Sequence, residues 1–362
     1  MSNLPIQCHY DGQIYDVIPT STRPFSLEKL LSTFQESEKT TYHLQVQARN
    51  PIVNNKLEEG LATINLELTF EKDIKPYALV PGGWLPMPFA LPTNFFVDRN
   101  VVINLEHIRR GSGTDCKDKL AMKWWNRLFV EGGATFDPLP YALEGEKQRA
   151  TTFNEFTDAI SKGTNELKAS FPQCKIIDRD VNVLKSFHEF LLQFEDKVGA
   201  ESEFLIAASP ILANRTAKGK EEPELKNLIK LAQKHKIEPF SLVFIAAISC
   251  LYEDNNGGKF SIGRELLKPK SVYSAKMAFN ALSDIRHIEM TAQVQTMLQS
   301  DSVFSLATCD HGLAAFWCAL SPIEKSVENS KPCFKFSLHE ELTPRLSTVE
   351  FKELFGQLLT RF

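Results

Sequence analysis

The sequence predicts an α/β fold: a parallel sheet flanked by helices, with a large helical insertion and a small β-rich unit in front. Three observations carry this. In Ala278–Leu320, apolar residues recur at helical spacing (Ala281, Leu282, Ile285, Ile288, Met290), then condense into a short strand-like run at Val303–Ala307. Thr308-Cys309-Asp310 follows, and then a second amphipathic helix, Leu313–Leu320. A second strand–turn–helix unit begins at Asn94, where an apolar run ends on Asp98 ahead of a helix at Val102–Arg109. Nearer the N-terminus, His43–Ala48 and Thr63–Phe70 alternate apolar and polar residues, the period of half-exposed strands.

In chain order, a short helix at Leu27–Phe34, with Ser26 as its N-cap, precedes the alternating strands. The turn-rich Val80–Pro92 closes this β-rich unit, assigned to residues 1–90. Residues 91–325 follow as the main domain. A helix is expected over Lys117–Glu131, with Lys119, Lys123 and Arg127 on one face. Another is expected to open at Glu144. From Thr151 to Asn255 the periodicity is almost wholly helical, with segments at 151–162, 180–197, 201–214, 222–236 and 239–254, and the insertion spans about 165–258. Pro223 and Pro239 stand near helix starts, where a missing N–H costs nothing. A strand at Cys333–Leu338 and a helix at Val349–Leu359 complete residues 326–362.

Composition narrows the function. The 362 residues contain 43% hydrophobic and 24% charged residues, ordinary for a globular protein, and 26 Phe predict an aromatic-rich core. A formal net charge of −4 excludes a global basic field, although a local basic groove stays open. The seven Cys are scattered without C-x-x-C spacing, which argues for reduced thiols over a disulfide framework or zinc ribbon. The first residues lack a signal-peptide pattern and the longest apolar runs are too short to span a bilayer, so a cytoplasmic location is expected.

The acids carry the chemistry. Asp98 and Asp310 end strands, the edge where open α/β sheets place ligands. Asp284 lies on the helix before the last of these strands, and Glu144 is placed where a helix opens, with Glu146 and Glu155 as its competitors. Carboxylates converging on one edge repel each other unless a cation joins them. Phosphodiester cleavage needs such a cation, because charge accumulates on the attacking water, the phosphoryl oxygens and the leaving oxygen. Asn100 can orient Asp98, and Thr308 can bond a carboxylate or a phosphate. Arg99, Lys276, Arg286 and His311 are candidates for substrate phosphate. His287, one turn beyond Asp284, faces the same way, but a lone helical histidine is more often a packing residue.

The order of these motifs resembles the PIN-domain nucleases: VDRNV at Val97–Val101, YALEGE around Glu144, NALSDIRHIEM around Asp284 and ATCDHGLAAFW around Asp310. The resemblance covers roughly residues 91–320 and implies a PIN-like sheet. It implies Mg²⁺ or Mn²⁺ on Asp98, Asp284 and Asp310, with Glu144 completing the catalytic set. It further implies an endonuclease with RNA favoured over DNA, a toxin or antiphage effector among its forms, and an inhibitory protein partner or a homo-oligomer. Two other classes compete: a non-catalytic interaction module with a degenerate acid pocket, and a phosphohydrolase of small nucleotides.

Overall fold

The structure is a computed structural model. It describes residues 6–361 except 11–12, 18, 35–39, 50–51, 54–55, 58–59, 71–74, 91–92, 111–125, 127–128, 131–132, 145–148, 150, 193–194, 255–259, 298–303 and 329–330. The expected basic face of Lys119, Lys123 and Arg127, and the acid Glu146, lie outside the described residues. The chain divides into two compact units. The first comprises Met1–Tyr141, Ile160–Asp178 and Met297–Cys309; the second comprises Ala142–Ala159, Arg179–Thr296 and Asp310–Phe362.

The chain opens with β1 (Ile6–Tyr10), β2 (Gln13–Val17), β3 (Pro19–Thr22), α1 (Leu27–Thr33), β4 (Thr40–Arg49), β5 (Ile52–Val53), β6 (Lys56–Leu57) and β7 (Leu61–Phe70). The alternating segments form the antiparallel pair β4–β7, whose register sets Leu44 opposite Leu66. Tyr42, Leu44 and Val46 are buried while His43 is exposed, the alternation that the pleat imposes. Next come β8 (Tyr77–Val80), β9 (Gly83–Pro86), β10 (Asn94–Val97), α2 (Arg99–Arg110), β11 (Thr135–Asp137), α3 (Leu139–Glu144), α4 (Phe153–Ser170) and β12 (Lys175–Ile176); the last strand of this group is β13 (Phe304–Thr308). The central sheet runs β12-β11-β10-β13-β8-β9.

This sheet is mixed, where a parallel one was expected. Strands β12, β11, β10 and β13 are parallel, but β8 pairs antiparallel with β13 and β9 pairs antiparallel with β8. The added pair is a hairpin from the turn-rich segment, with Gly82 and Gly83 both at positive φ. A Cβ on Gly83 would lie 2.1 Å from the Phe25 carbonyl oxygen, so only glycine lets the chain before α1 approach. There Phe25 and Trp84 exchange backbone hydrogen bonds of 2.8 and 3.1 Å. Trp84 packs against Phe25, Tyr42 and Tyr77. The expected aromatic core lies along β10 and β11, where Phe95, Phe129, Phe136 and Phe171 stack or meet edge to face at 5.1–5.8 Å.

The second unit is mostly helical: α5 (Val181–Leu192), α6 (Glu195–Leu212), α7 (Glu221–Lys234), α8 (Leu242–Leu251), α9 (Ile262–Leu267), α10 (Ala275–Met297), α11 (His311–Ala319) and α12 (Thr348–Arg361), with the hairpin β14 (Leu320–Glu328) and β15 (Lys331–Leu338). Every residue of α8 is buried, as its all-round apolar sequence requires. Short α9 is clamped by small residues. A Cβ on Gly312 of α11 would lie 2.6–2.7 Å from the Glu265–Leu266 backbone, so the two helices touch main chain to side.

Glu201 of α6 is buried, with Lys197 one turn away at 3.7 Å and Lys197 also bonded to Glu289 at 3.1 Å. Burial pushes the Glu201 carboxyl up to about 7; Lys197 and Arg286 oppose this and Glu289 adds to it. The folded value lies above the unfolded one, so the protonated form contributes stability that is full below the unfolded pKa and is lost as pH rises through about 7. Glu201→Gln, which mimics the protonated form, is expected to raise stability by up to about 3 kcal/mol near about pH 8 and to change it little near about pH 5. Urea unfolding at the two pH values checks this; equal effects at both would contradict it.

Candidate metal centre

The four parallel strands have chain order 3-2-1-4 across the sheet, so strand order reverses between β10 and β13. At such a reversal the loops leave the carboxyl edge in opposite directions and open a crevice. Asp98 stands at that point, directly after β10, and is 1% exposed. Its backbone N–H donates to Ala307 of β13 at 3.0 Å, which continues the ladder by one residue. The chain then turns straight into α2, whose first turn closes on the Asp98 carbonyl through Val101 and Val102.

Three donors converge on this buried carboxylate. The Arg99 backbone N–H reaches Oδ1 at 2.6 Å. Asn100 Nδ2 and the Thr308 hydroxyl reach Oδ2 at 2.6 and 2.8 Å. Asn100 Oδ1 also accepts the Cys309 backbone N–H at 2.8 Å, so one amide ties the end of β10 to the end of β13. Hydrogen bonds to an ionised acceptor are short and strong, and together they fix the carboxylate in one rotamer.

The end of neighbouring β11 carries an acid that sequence reasoning passed over. Asp137 is fully buried, pairs in register with Phe96, and accepts the Leu139 N–H at 3.1 Å. An apolar run ending on an acid, Phe136-Asp137-Pro138, was the available signal. The bond to Leu139 starts α3 here, so Glu144 is the last described residue of a helix that began five residues earlier; the expectation that Glu144 opens one is corrected. Glu155 has a structural task. It is the third residue of a capping box on α4, accepting Thr152 N–H at 3.0 Å while its own N–H meets the Thr152 hydroxyl at 3.3 Å.

In the second unit, Asp284 and His287 lie one turn apart on α10, half-buried and fully buried respectively. Asp310 is the N-cap of α11, with Oδ1 accepting Leu313 N–H at 2.9 Å. Its other oxygen is 3.0 Å from Lys268 Nζ. Lys268, which follows α9, was not among the sequence candidates. Partial burial opposes its charge, but Asp310 outweighs that with help from Asp284 and Glu265, holding the ammonium above the usual lysine value.

Ligand atoms of Asp98, Asp284 and His287 all lie within 4.8 Å of one another, a group that could hold a metal ion. Among the described residues this group includes neither Asp310 nor Glu144. Two carboxylates and an imidazole suit a divalent first-row cation: the oxygens serve a hard ion and the nitrogen favours Mn²⁺ over Mg²⁺. The remaining candidates have visible neighbours. Arg99 lies over the Tyr141 ring at 5.8 Å, Arg286 lies over Phe279 at 5.9 Å and acts on Glu201, Lys276 is exposed at the start of α10, and His311 opens α11.

No protein-family model matches the chain, and no curated protein or solved structure matches it. Among the described residues no helix is long and apolar enough to cross a membrane.

Proposed function

We propose that the protein is a divalent-metal-dependent phosphodiesterase, an endonuclease acting on RNA, with Asp98, Asp284 and His287 holding the cation. The observation that carries this reading is the group of those three side chains, one of which ends a strand at the reversal of the sheet. The parallel order 3-2-1-4 and the Asp-x-Asn turn after its first strand support the PIN-like reading. The preference for RNA rests on the resemblance of the motifs.

A bound Mn²⁺ or Mg²⁺ would supply a water of lowered pKa and neutralise charge on the phosphoryl oxygens. The chain's own residues do the rest. Asn100 and Thr308 hold Asp98 in one rotamer, and a donor shell of this kind is worth about 10–100-fold in metal affinity. Asp284 and His287, fixed on one helix, present their donors without further ordering of the backbone.

The test is Mn²⁺ titration followed by electron paramagnetic resonance, alongside cleavage of a single-stranded oligoribonucleotide. Wild-type protein is expected to bind Mn²⁺ and cleave only in its presence. Asp284→Asn, a half-buried helical position, is expected to fold normally, to lose Mn²⁺ binding and to lower cleavage by about a thousandfold or more, the scale of removing an electrostatic contributor to the transition state. Wild-type protein that binds no Mn²⁺ would sink the reading. Cleavage confined to mononucleotides would move it to a small-nucleotide phosphohydrolase, and Mn²⁺ binding without cleavage of either would favour an interaction module.

A further inference from the structure

We propose that Lys268 is a substrate-phosphate contact of this site, positioned by Asp310; the inference rests on the phosphodiesterase reading above. Three observations meet at this residue. Lys268 caps the end of α9 in the left-handed conformation, φ 48°, where glycine or asparagine is the ordinary choice. A lysine kept there, against the steric preference of its own backbone, points to a use for the side chain. Its ammonium lies in an acidic neighbourhood, 3.0 Å from Asp310 and under the influence of Asp284 and Glu265. Yet the side chain is 58% exposed, so the N–H donors that Asp310 does not take still face water.

The geometry suits an incoming anion. Asp310 is committed to its helix through Leu313, so it stays in place and orients the ammonium. The close approach of α11 to α9 at Gly312 fixes the end of α9 relative to that cap. Asp284 acts electrostatically on Lys268 and belongs to the metal-capable group, so the ammonium is in the field of a carboxylate that would help hold the cation. A phosphodiester oxygen could accept from Nζ while Asp310 retains its own bond to the same ammonium. Placed beside the carboxylates, the lysine would also reduce the repulsion that a polyanion meets on approach.

Lys268→Gly and Lys268→Arg test this. Glycine suits the left-handed backbone, so the first variant is expected to melt no lower than wild type. With Ca²⁺ in place of Mn²⁺, Lys268→Gly is expected to bind a short single-stranded oligoribonucleotide about tenfold more weakly. The slope of log affinity against log salt should become shallower by about 0.7–0.9, one released counterion. In the cleavage assay KM should rise more than kcat falls, Lys268→Arg should restore most of the affinity, and Mn²⁺ titration of Lys268→Gly should match wild type. Wild-type affinity and salt slope in Lys268→Gly would overturn the inference while leaving the metal reading standing. Absence of Mn²⁺ binding in wild-type protein would overturn both.

Discussion

Asp98→Asn is expected to abolish Mn²⁺ binding and cleavage and, at the same time, to lower stability by about 1–3 kcal/mol. From sequence, removing one of several crowded negative charges should stabilise the fold, because like charges repel. The hydrogen-bond arrangement reverses that expectation. Both carboxylate oxygens are acceptors: Oδ1 takes the Arg99 N–H, and Oδ2 takes Asn100 Nδ2 and the Thr308 hydroxyl. An asparagine at 98 keeps one acceptor and introduces an NH₂ group. If the amide oxygen stays on Arg99, the new N–H atoms face the NH₂ of Asn100. Asn100 cannot flip to accommodate them, because its own oxygen already accepts the Cys309 N–H. The Thr308 hydroxyl can rotate; the two amides cannot. With Asp98 1% exposed, water does not relieve the conflict, so a buried donor is left unsatisfied. Denaturant unfolding in the absence of metal isolates this effect from any lost metal stabilisation. A metal-free Asp98→Asn protein as stable as wild type, or more so, would mean that charge repulsion governs this corner of the sheet.

That contrast marks what a sequence can and cannot tell about this site. The strand ending at Asp98 was readable because an apolar run is followed by Asp-x-Asn, and β4 and β7 were readable as strands from strict alternation. Asp284 and His287 share a face at i, i+3 spacing, so their proximity was also implicit, although a buried histidine in a helix is usually a packing residue. The role of each acid was harder to read. Asp310 and Asp98 have the same local signature, an acid between a strand and a helix. A backbone cap and a half-shell of side-chain donors differ only in which residues arrive from elsewhere in the chain. Glu144 was misplaced because the start of α3 depends on a bond from Asp137, and the proline-rich turn hid that start. The antiparallel pairing of β8 with β13 was invisible because it joins distant parts of the chain. Lys268 had no sequence signal, since a left-handed backbone at a lysine is a consequence of packing.

Arg264→Ala is expected to destabilise the protein by about 3–5 kcal/mol, the cost of leaving a buried carboxylate without its partner. Glu253 is 1% exposed. Arg264 Nε donates to both of its oxygens at 2.8 and 2.9 Å, Nη2 bonds the same carboxylate, and Nη1 donates to the Ala213 carbonyl at 3.1 Å. The alanine variant would leave Glu253 with Arg215 at 3.8 Å, on a side chain that is 38% exposed and therefore screened. Lysine at 264 should not restore the loss, because a single ammonium cannot reproduce the fork of bonds to two oxygens and a carbonyl. Replacing both partners, Arg264→Leu with Glu253→Leu, should recover much of it, since a packed apolar pair avoids the desolvation of two charges. The reason to keep the ion pair is then positional. Arg264 holds α9 to the chain beyond α8 and beyond α6, and the Arg264 carbonyl accepts the Lys268 N–H at 2.8 Å. The double-leucine protein is therefore expected to unfold close to wild type yet to bind the oligoribonucleotide more weakly, because the end of α9 loses the tether that aims Lys268. A double variant with both wild-type stability and wild-type affinity would show that the packing of Gly312 against Glu265 and Leu266 is enough to hold that helix.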